Sequence, residues 1–167
     1  MSAVARGKVA FGLLPKPSTG VGLAASGHAR SGLGFTAAMA LLRSVHTDDE
    51  DAEFGVGLTY GSVEAAYVMG RSEAATVWLS AGLAAGAVHT VVYSPQPART
   101  GDLFWPAGLV GLKAQARLAG SLVGELGLTG FVPLVHYELG VAGRNEAVFA
   151  APPMALVAYF GFGPSFL

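Results

Sequence analysis

The stretch Met154–Phe166 leaves a chain few folds to choose from. Every second residue from Met154 gives Met154, Leu156, Ala158, Phe160, Phe162, Pro164 and Phe166, while the complementary set is Ala155, Val157, Tyr159, Gly161, Gly163 and Ser165. Successive side chains of a β-strand point to opposite faces, so a period of two builds one bulky apolar face and one slim face. A soluble barrel would wet its outer face with Lys, Glu, Thr or Ser at alternate positions. Here the slim face is mostly Gly, Ala and Ser, which suits a crowded interior, and the bulky face suits lipid. The pattern predicts an all-β fold, an eight-stranded antiparallel up-and-down transmembrane β-barrel.

Composition agrees. A chain of 167 residues is one domain, 1–167, long enough for eight strands and too short for the sixteen of a porin. Hydrophobic residues make up 52% and charged residues 13%, which is about half the charged share of a soluble domain, so something other than water covers the surface. The 24 glycines are spread through the apolar segments, where they suit a narrow, curved wall. A net charge of -1 gives no electrostatic case for nucleic acid. Without cysteine there is neither a disulfide framework nor a thiolate metal site, and no cofactor is expected. The opening MSAVARGKVAFGLLPKP has no long apolar run ending in a cleavage site. Because a barrel of this kind is exported, an export signal upstream of Met1 is expected.

The alternation predicts strands at about 8–14, 21–27, 33–43, 53–68, 75–93, 104–118, 122–139 and 154–166. On the third, Leu33, Phe35, Ala37, Met39 and Leu41 oppose Gly34, Thr36, Ala38 and Ala40. The fourth reads Phe54, Val56, Leu58 and Tyr60 as its apolar face, then shifts to Val63, Ala65 and Tyr67. A β-bulge near Gly61 would absorb that shift and turn Glu64 inward. The connections alternate between longer or more polar segments and tight turns, the arrangement of an up-and-down barrel with its loops at one end. The polar interval 44–53 carries Asp48, Asp49, Glu50 and Asp51, and 95–102 and 140–151 are the other main loops.

Few charges fall inside the strands. Glu64, Lys113, Arg117 and Glu125 are expected to face the lumen, because a cation at the lipid midplane costs about 2–4 kcal/mol. Lys113, Gln115 and Arg117 share one face of the sixth strand. A three-residue turn at Ala119–Ser121 would pair Leu118 with Leu122 and Gln115 with Glu125, placing Glu125 diagonal to Lys113 and Arg117. An ionic cluster in the lumen is therefore expected. Aromatic belts are expected at both membrane interfaces, with Tyr93, Phe104, Trp105, His136 and Tyr137 near the loops and Tyr67, Phe160, Phe162 and Phe166 toward the turns.

The four histidines have no HxH or HExxH spacing, and His28 and His46 fall at opposite ends of the barrel, so no metal site is expected. The glycines form no phosphate loop, and the acidic run reads as a solvated loop. Three other readings fit parts of the pattern. One is a soluble lipocalin-like ligand-binding barrel. Another is a helical span over 74–92. The third is a membrane lipid hydrolase pairing Ser94 with His89 or His136 at the loop-side rim, although nothing in their spacing is specific to it.

The segments VAFGLLPKPSTGVGLAAS, LSAGLAAGAVHT, FWPAGLVGLKAQARLAG with LVGELGLTGFVPLVHYEL, and VFAAPPMALVAYFGFG together cover the chain nearly end to end. In this pattern the chain resembles the small eight-stranded outer-membrane β-barrel proteins of Gram-negative bacteria, many of undefined function. The resemblance implies residence in the outer membrane, a monomer in contact with outer-membrane lipid, and delivery by the barrel-insertion machinery. Such chains normally finish on an aromatic residue, whereas here Phe166 precedes Leu167. The expected role is structural or surface-interacting and non-enzymatic, exercised through the extracellular loops around a lumen filled by side chains.

Overall fold

The computed structural model describes residues 1–49, 52–94, 99–140 and 147–166. The strands are β1 (Ser2–Phe11), β2 (Ser18–His28), β3 (Leu33–Asp49), β4 (Ala52–Arg71), β5 (Ala75–Ser94), β6 (Arg99–Ala119), β7 (Leu122–Pro133), β8 (Glu138–Gly140), β9 (Ala147–Ala150) and β10 (Ala155–Pro164). Eight of them close into an antiparallel barrel in the order β1-β10-β7-β6-β5-β4-β3-β2. Closure pairs β1 with β10, Ala5 opposite Phe162 and Phe11 opposite Leu156, so each strand of the barrel has a paired neighbour on both sides. The β8–β9 hairpin is a separate two-stranded sheet within the β7–β10 connection.

Outside, the wall is apolar. Val21 and Leu23 on β2, Leu33, Phe35, Met39 and Leu41 on β3, Val63 and Tyr67 on β4, Leu79 and Leu83 on β5, Val110 and Leu112 on β6, Leu126 and Leu128 on β7, and Phe160 and Phe162 on β10 are all exposed. Water does not tolerate a continuous apolar girdle of this extent, whereas a bilayer requires one. The segment from Leu33 to Arg43 has the length of a tilted transmembrane strand, about 9–11 residues. Both chain ends lie at the tight-turn end, where the Met1 amino group donates to the Phe166 carbonyl at 2.8 Å.

Inside, the strands approach so closely that some positions admit no side chain. A β-carbon on Gly82 would run into the backbone oxygen of Val63, and one on Gly86 into that of Thr59. Both glycines face the lumen of β5, where they let the wall curve sharply.

Several expected boundaries differ from those observed. The first strand begins at Ser2 rather than residue 8 and ends at Phe11, where Gly12 takes φ 80° and turns the chain across the loop-side mouth. Leu13 and Leu14 are consequently buried there and do not belong to a strand. β4 runs unbroken past Gly61, with Ala40 opposite Tyr60 and Ala38 opposite Ser62 on β3. No bulge lies there, and Glu64 faces inward because Phe54, Val56, Leu58 and Tyr60 face inward too. The irregularities of β4 are at Glu53/Phe54 and Val68/Gly70, and β3 carries one between Leu42 and Val45.

The interval 44–53 is mostly strand, with Asp48 opposite Glu53 and Asp49 opposite Ala52. Glu50 and Asp51 lie outside the described residues. β6 likewise starts at Arg99, earlier than expected, and β7 stops at Pro133. The β6–β7 turn holds two residues, Gly120 and Ser121. It pairs Leu122 with Ala119 rather than Leu118, with a register shift at Leu118, while Gln115 stands opposite Glu125.

Candidate functional site

The lumen is filled in two storeys. The storey nearer the tight turns is polar. Arg6 Nε donates to Glu125 Oε1, and the two side chains are 3% and 0% exposed. Lys113 Nζ stands 4.0 Å from Glu125 Oε2 and donates to Ser26 Oγ at 3.2 Å. Glu64 accepts from Ser80 Oγ at 2.7 Å, and Gln115 Nε2 donates to Ser2 Oγ at 3.3 Å. Lys8 Nζ donates to the Tyr60 hydroxyl at 2.9 Å, and Arg6 lies 4.4 Å from the centre of the Tyr159 ring.

The structure thus brings Lys113, Gln115, Glu125 and Glu64 into the lumen, but leaves Arg117 exposed at the tight-turn rim. Arg6 takes the place expected for Arg117. The sequence reading missed Arg6 and Lys8 because it started the first strand at Lys8. Their signal was present, since Ser2, Val4, Arg6, Lys8 and Ala10 share one parity.

The storey nearer the loops is apolar. Tyr60, Trp105 and Phe131 pack ring on ring at 5.4–5.8 Å between centres, surrounded by Val56, Leu58, Val88 and Leu109. Two of the expected interface aromatics belong to this plug rather than to a lipid belt. Trp105 is 1% exposed and sits inside the barrel, next to the outward Phe104 at 67%. Tyr137 is buried where the chain folds over the mouth, and its hydroxyl donates to the Leu13 carbonyl at 3.0 Å. Burial pushes the Tyr137 phenol up to about 12. Tyr93, Phe160, Phe162 and Phe166 are exposed on the outside. His136 is exposed, beside Tyr137.

The loop-side rim of the outer wall is where the apolar stripe gives way to polar residues. His89 on β5 stands opposite Asp102 on β6 and opposite Gly57 on β4. Its Nδ1 lies 2.8 Å from Asp102 Oδ1 and its Nε2 lies 3.1 Å from Thr59 Oγ1. The hydroxyl hydrogen-bonded to His89 is that of Thr59, a residue that the sequence reading did not single out. Above this rim the β3–β4 hairpin continues, with the His46 ring against Tyr93 at 5.3 Å and His46 Nε2 against Glu53. Lys16 Nζ donates to the His46 carbonyl at 2.9 Å.

No family model matches the chain, and no curated protein matches it. Solved structures do. A major outer membrane protein from Thermus thermophilus superposes with a TM-score of 0.67 at 13% identity, over 99% of this chain and 100% of that one. Ail, the attachment invasion locus protein of Yersinia pestis, gives 0.59 at 13% over 99% and 97%. The N-terminal β-barrel domain of Pseudomonas aeruginosa OprF gives 0.55 at 14% over 99% and 97%. At such identities the likeness concerns the fold. That fold, read from the lipid-facing wall, the closed strand order and these three superpositions together, is the one used by small eight-stranded outer-membrane β-barrels.

Proposed function

We propose that the protein is a monomeric, non-conducting barrel of a Gram-negative outer membrane, with a structural or surface-interaction role exercised by its loop end. The observation that carries this reading is the two-storey filling of the lumen. Eight strands enclose an interior just wide enough for side chains, and here Trp105, Val56, Leu58 and Val88 are nearly sealed from solvent above a buried Arg6–Glu125 pair. A lumen filled in this way leaves the outer wall and the loop end as the surfaces through which the protein works. At the loop end the β3–β4 hairpin rises past the rim and the β8–β9 hairpin adds a second platform. Outer-membrane lipid and the barrel-insertion machinery are the partners that such a wall requires. Support for a contact role comes from the shared fold with Ail, whose name describes attachment and which has been crystallised with the heparin analogue sucrose octasulfate.

The test has two arms. Refolded protein in a planar bilayer should show no steady conductance, and a defined open step would sink the plugged-lumen reading. Cells displaying the protein should adhere to immobilised matrix protein or sulfated glycan. Adhesion should fall to background when the β3–β4 tip and the β8–β9 hairpin are replaced by short Gly-Ser links, and equal adhesion with and without them would remove the loop-end role.

A further inference from the structure

Trp78 on β5 is 5% exposed, and its indole Nε1–H meets no acceptor among the described residues. An indole nitrogen can only donate, and a buried donor without a partner is costly, so an acceptor belongs beside it. The ring lines a small cavity at the tight-turn end of the lumen, together with Ser26 and His28 of β2, Thr36 of β3, and Lys113 and Gln115 of β6. Its free space is about 10 Å³, room for one particle the size of a water molecule or a monatomic ion.

The same cavity receives an ammonium with donors to spare. Lys113 is the cross-strand partner of Trp78, and its Nζ donates to Ser26 Oγ at 3.2 Å and to Thr36 Oγ1 at 3.5 Å. Those two hydroxyls are 2.9 Å apart, so one donates to the other and the second hydroxyl hydrogen stays free. The third ammonium hydrogen is also free, because Glu125 Oε2 at 4.0 Å is beyond hydrogen-bond reach and that carboxylate is already held by Arg6. Indole, ammonium and hydroxyl donors therefore meet at one cavity, and its lining includes no carboxylate.

Charge decides between the two occupants that would fit. The polar storey holds three cations, Arg6, Lys8 and Lys113, against two carboxylates, Glu64 and Glu125, which leaves one surplus positive charge. Water would satisfy the donors and leave that surplus in place, whereas an anion does both. Arg30, Arg71 and Arg117 are exposed at or beside the three tight turns, against Glu73, so the field at this end draws anions in. Above, the Tyr60, Trp105 and Phe131 rings close the way to the loops, so an ion that enters stops there.

We propose that this cavity binds a monatomic anion of the chloride type, held by Trp78 Nε1–H, the Lys113 ammonium and the Ser26–Thr36 hydroxyl pair. The ion neutralises the surplus charge of the lumen and couples the stability of the barrel to halide on the tight-turn side of the membrane. Polyatomic anions such as phosphate are too large for the space.

Refolded full-length protein in neutral detergent micelles is unfolded in urea at fixed sodium, with chloride exchanged for gluconate, which is too large to enter. The urea midpoint should rise with the logarithm of chloride concentration once the site begins to fill, as linkage to one site requires. Iodide should quench tryptophan emission with a saturable dependence, and added chloride should compete with it. Trp78→Phe keeps an aromatic ring and loses the N–H, so its stability curve should shift to about 10-fold higher chloride. Lys113→Gln should lose the chloride response. Lys16→Gln, which removes a cation at the loop end, should respond as the parent does. Heat-modifiable gel migration reports that each variant folds, and the parent and Trp78→Phe decide the outcome if Lys113→Gln does not. Equal midpoints in chloride and gluconate with linear iodide quenching would mean that water fills the cavity, and would overturn the proposal. So would a chloride response left unchanged by Trp78→Phe.

Discussion

Arg6 on β1 reaches across the face of β10 to pair with Glu125 on β7, joining strands that are not neighbours in the sheet. The contact therefore braces the barrel across its closing seam, where β1 meets β10. Its environment is dry, and Lys113 at 4.0 Å is the second cation near the same carboxylate.

Glu125→Leu should lower the unfolding free energy by about 3–5 kcal/mol, because it strands Arg6 and Lys113 in a low-dielectric lumen. The double variant Arg6→Met with Glu125→Leu should recover most of the loss, since removing both partners of a buried pair is often neutral. Urea unfolding in detergent micelles, followed by tryptophan emission, measures both. A single variant as stable as the parent would show that the seam does not depend on this pair.

Neighbouring aromatics on β6 should respond in opposite ways. Trp105→Ala removes the central ring of the Tyr60–Trp105–Phe131 stack and should cost about 3–5 kcal/mol. Phe104→Ala removes a ring that faces lipid and should stay within about 1 kcal/mol of the parent. Equal losses for the two would contradict the observed inside and outside of β6.

The alternation of β2, β3 and β10 was legible because lipid demands bulk at every outward position and the crowded lumen demands the reverse. Val21, Leu33, Met39, Phe160 and Phe162 all stand where that rule puts them. The loop-side half of the barrel follows a different rule. There the large residues Phe54, Val56, Leu58 and Trp105 fill the mouth, and the alternate positions of β4 include Gly55, Gly57 and Gly61. Periodicity reports that two faces differ and does not report which one looks inward, so the reversal resembled a bulge at Gly61. Arg6 was missed for another reason: the first strand was expected to start at Lys8, whereas β1 begins at Ser2 and carries Arg6 on its inward face. The Thr59–His89–Asp102 line was hidden because it joins residues 30 and 13 positions apart through strand register.

Tyr137 ties the β7–β8 connection to the plug through one hydrogen bond to the Leu13 carbonyl. Tyr137→Phe should cost about 0.5–1.5 kcal/mol. The phenol titrates near 10 when unfolded and at about 12 in the fold. Because the folded value is raised, the contribution is complete below pH about 10 and disappears as pH rises through about 12. The stability difference between the parent and Tyr137→Phe should accordingly shrink over that window, as measured by urea midpoints across pH. A constant difference would mean that the phenol does not ionise in step with loss of the tether.

Leu83 lies on the outward face of β5, 61% exposed, beside Val63 of β4. In a bilayer, Leu83→Arg places a guanidinium in hydrocarbon and should reduce the unfolding free energy by about 2–4 kcal/mol, with a smaller loss for the same change nearer the rim at Ala87. If the wall faced water, as in a lipocalin-like barrel, the same arginine would be solvated and its cost would fall within about 0.5 kcal/mol of zero. Unfolding from phospholipid vesicles in guanidinium gives the number directly. A depth-independent, near-zero effect at both positions would contradict the lipid-facing wall, because no arrangement of the lumen could compensate for a charge on the opposite side of β5.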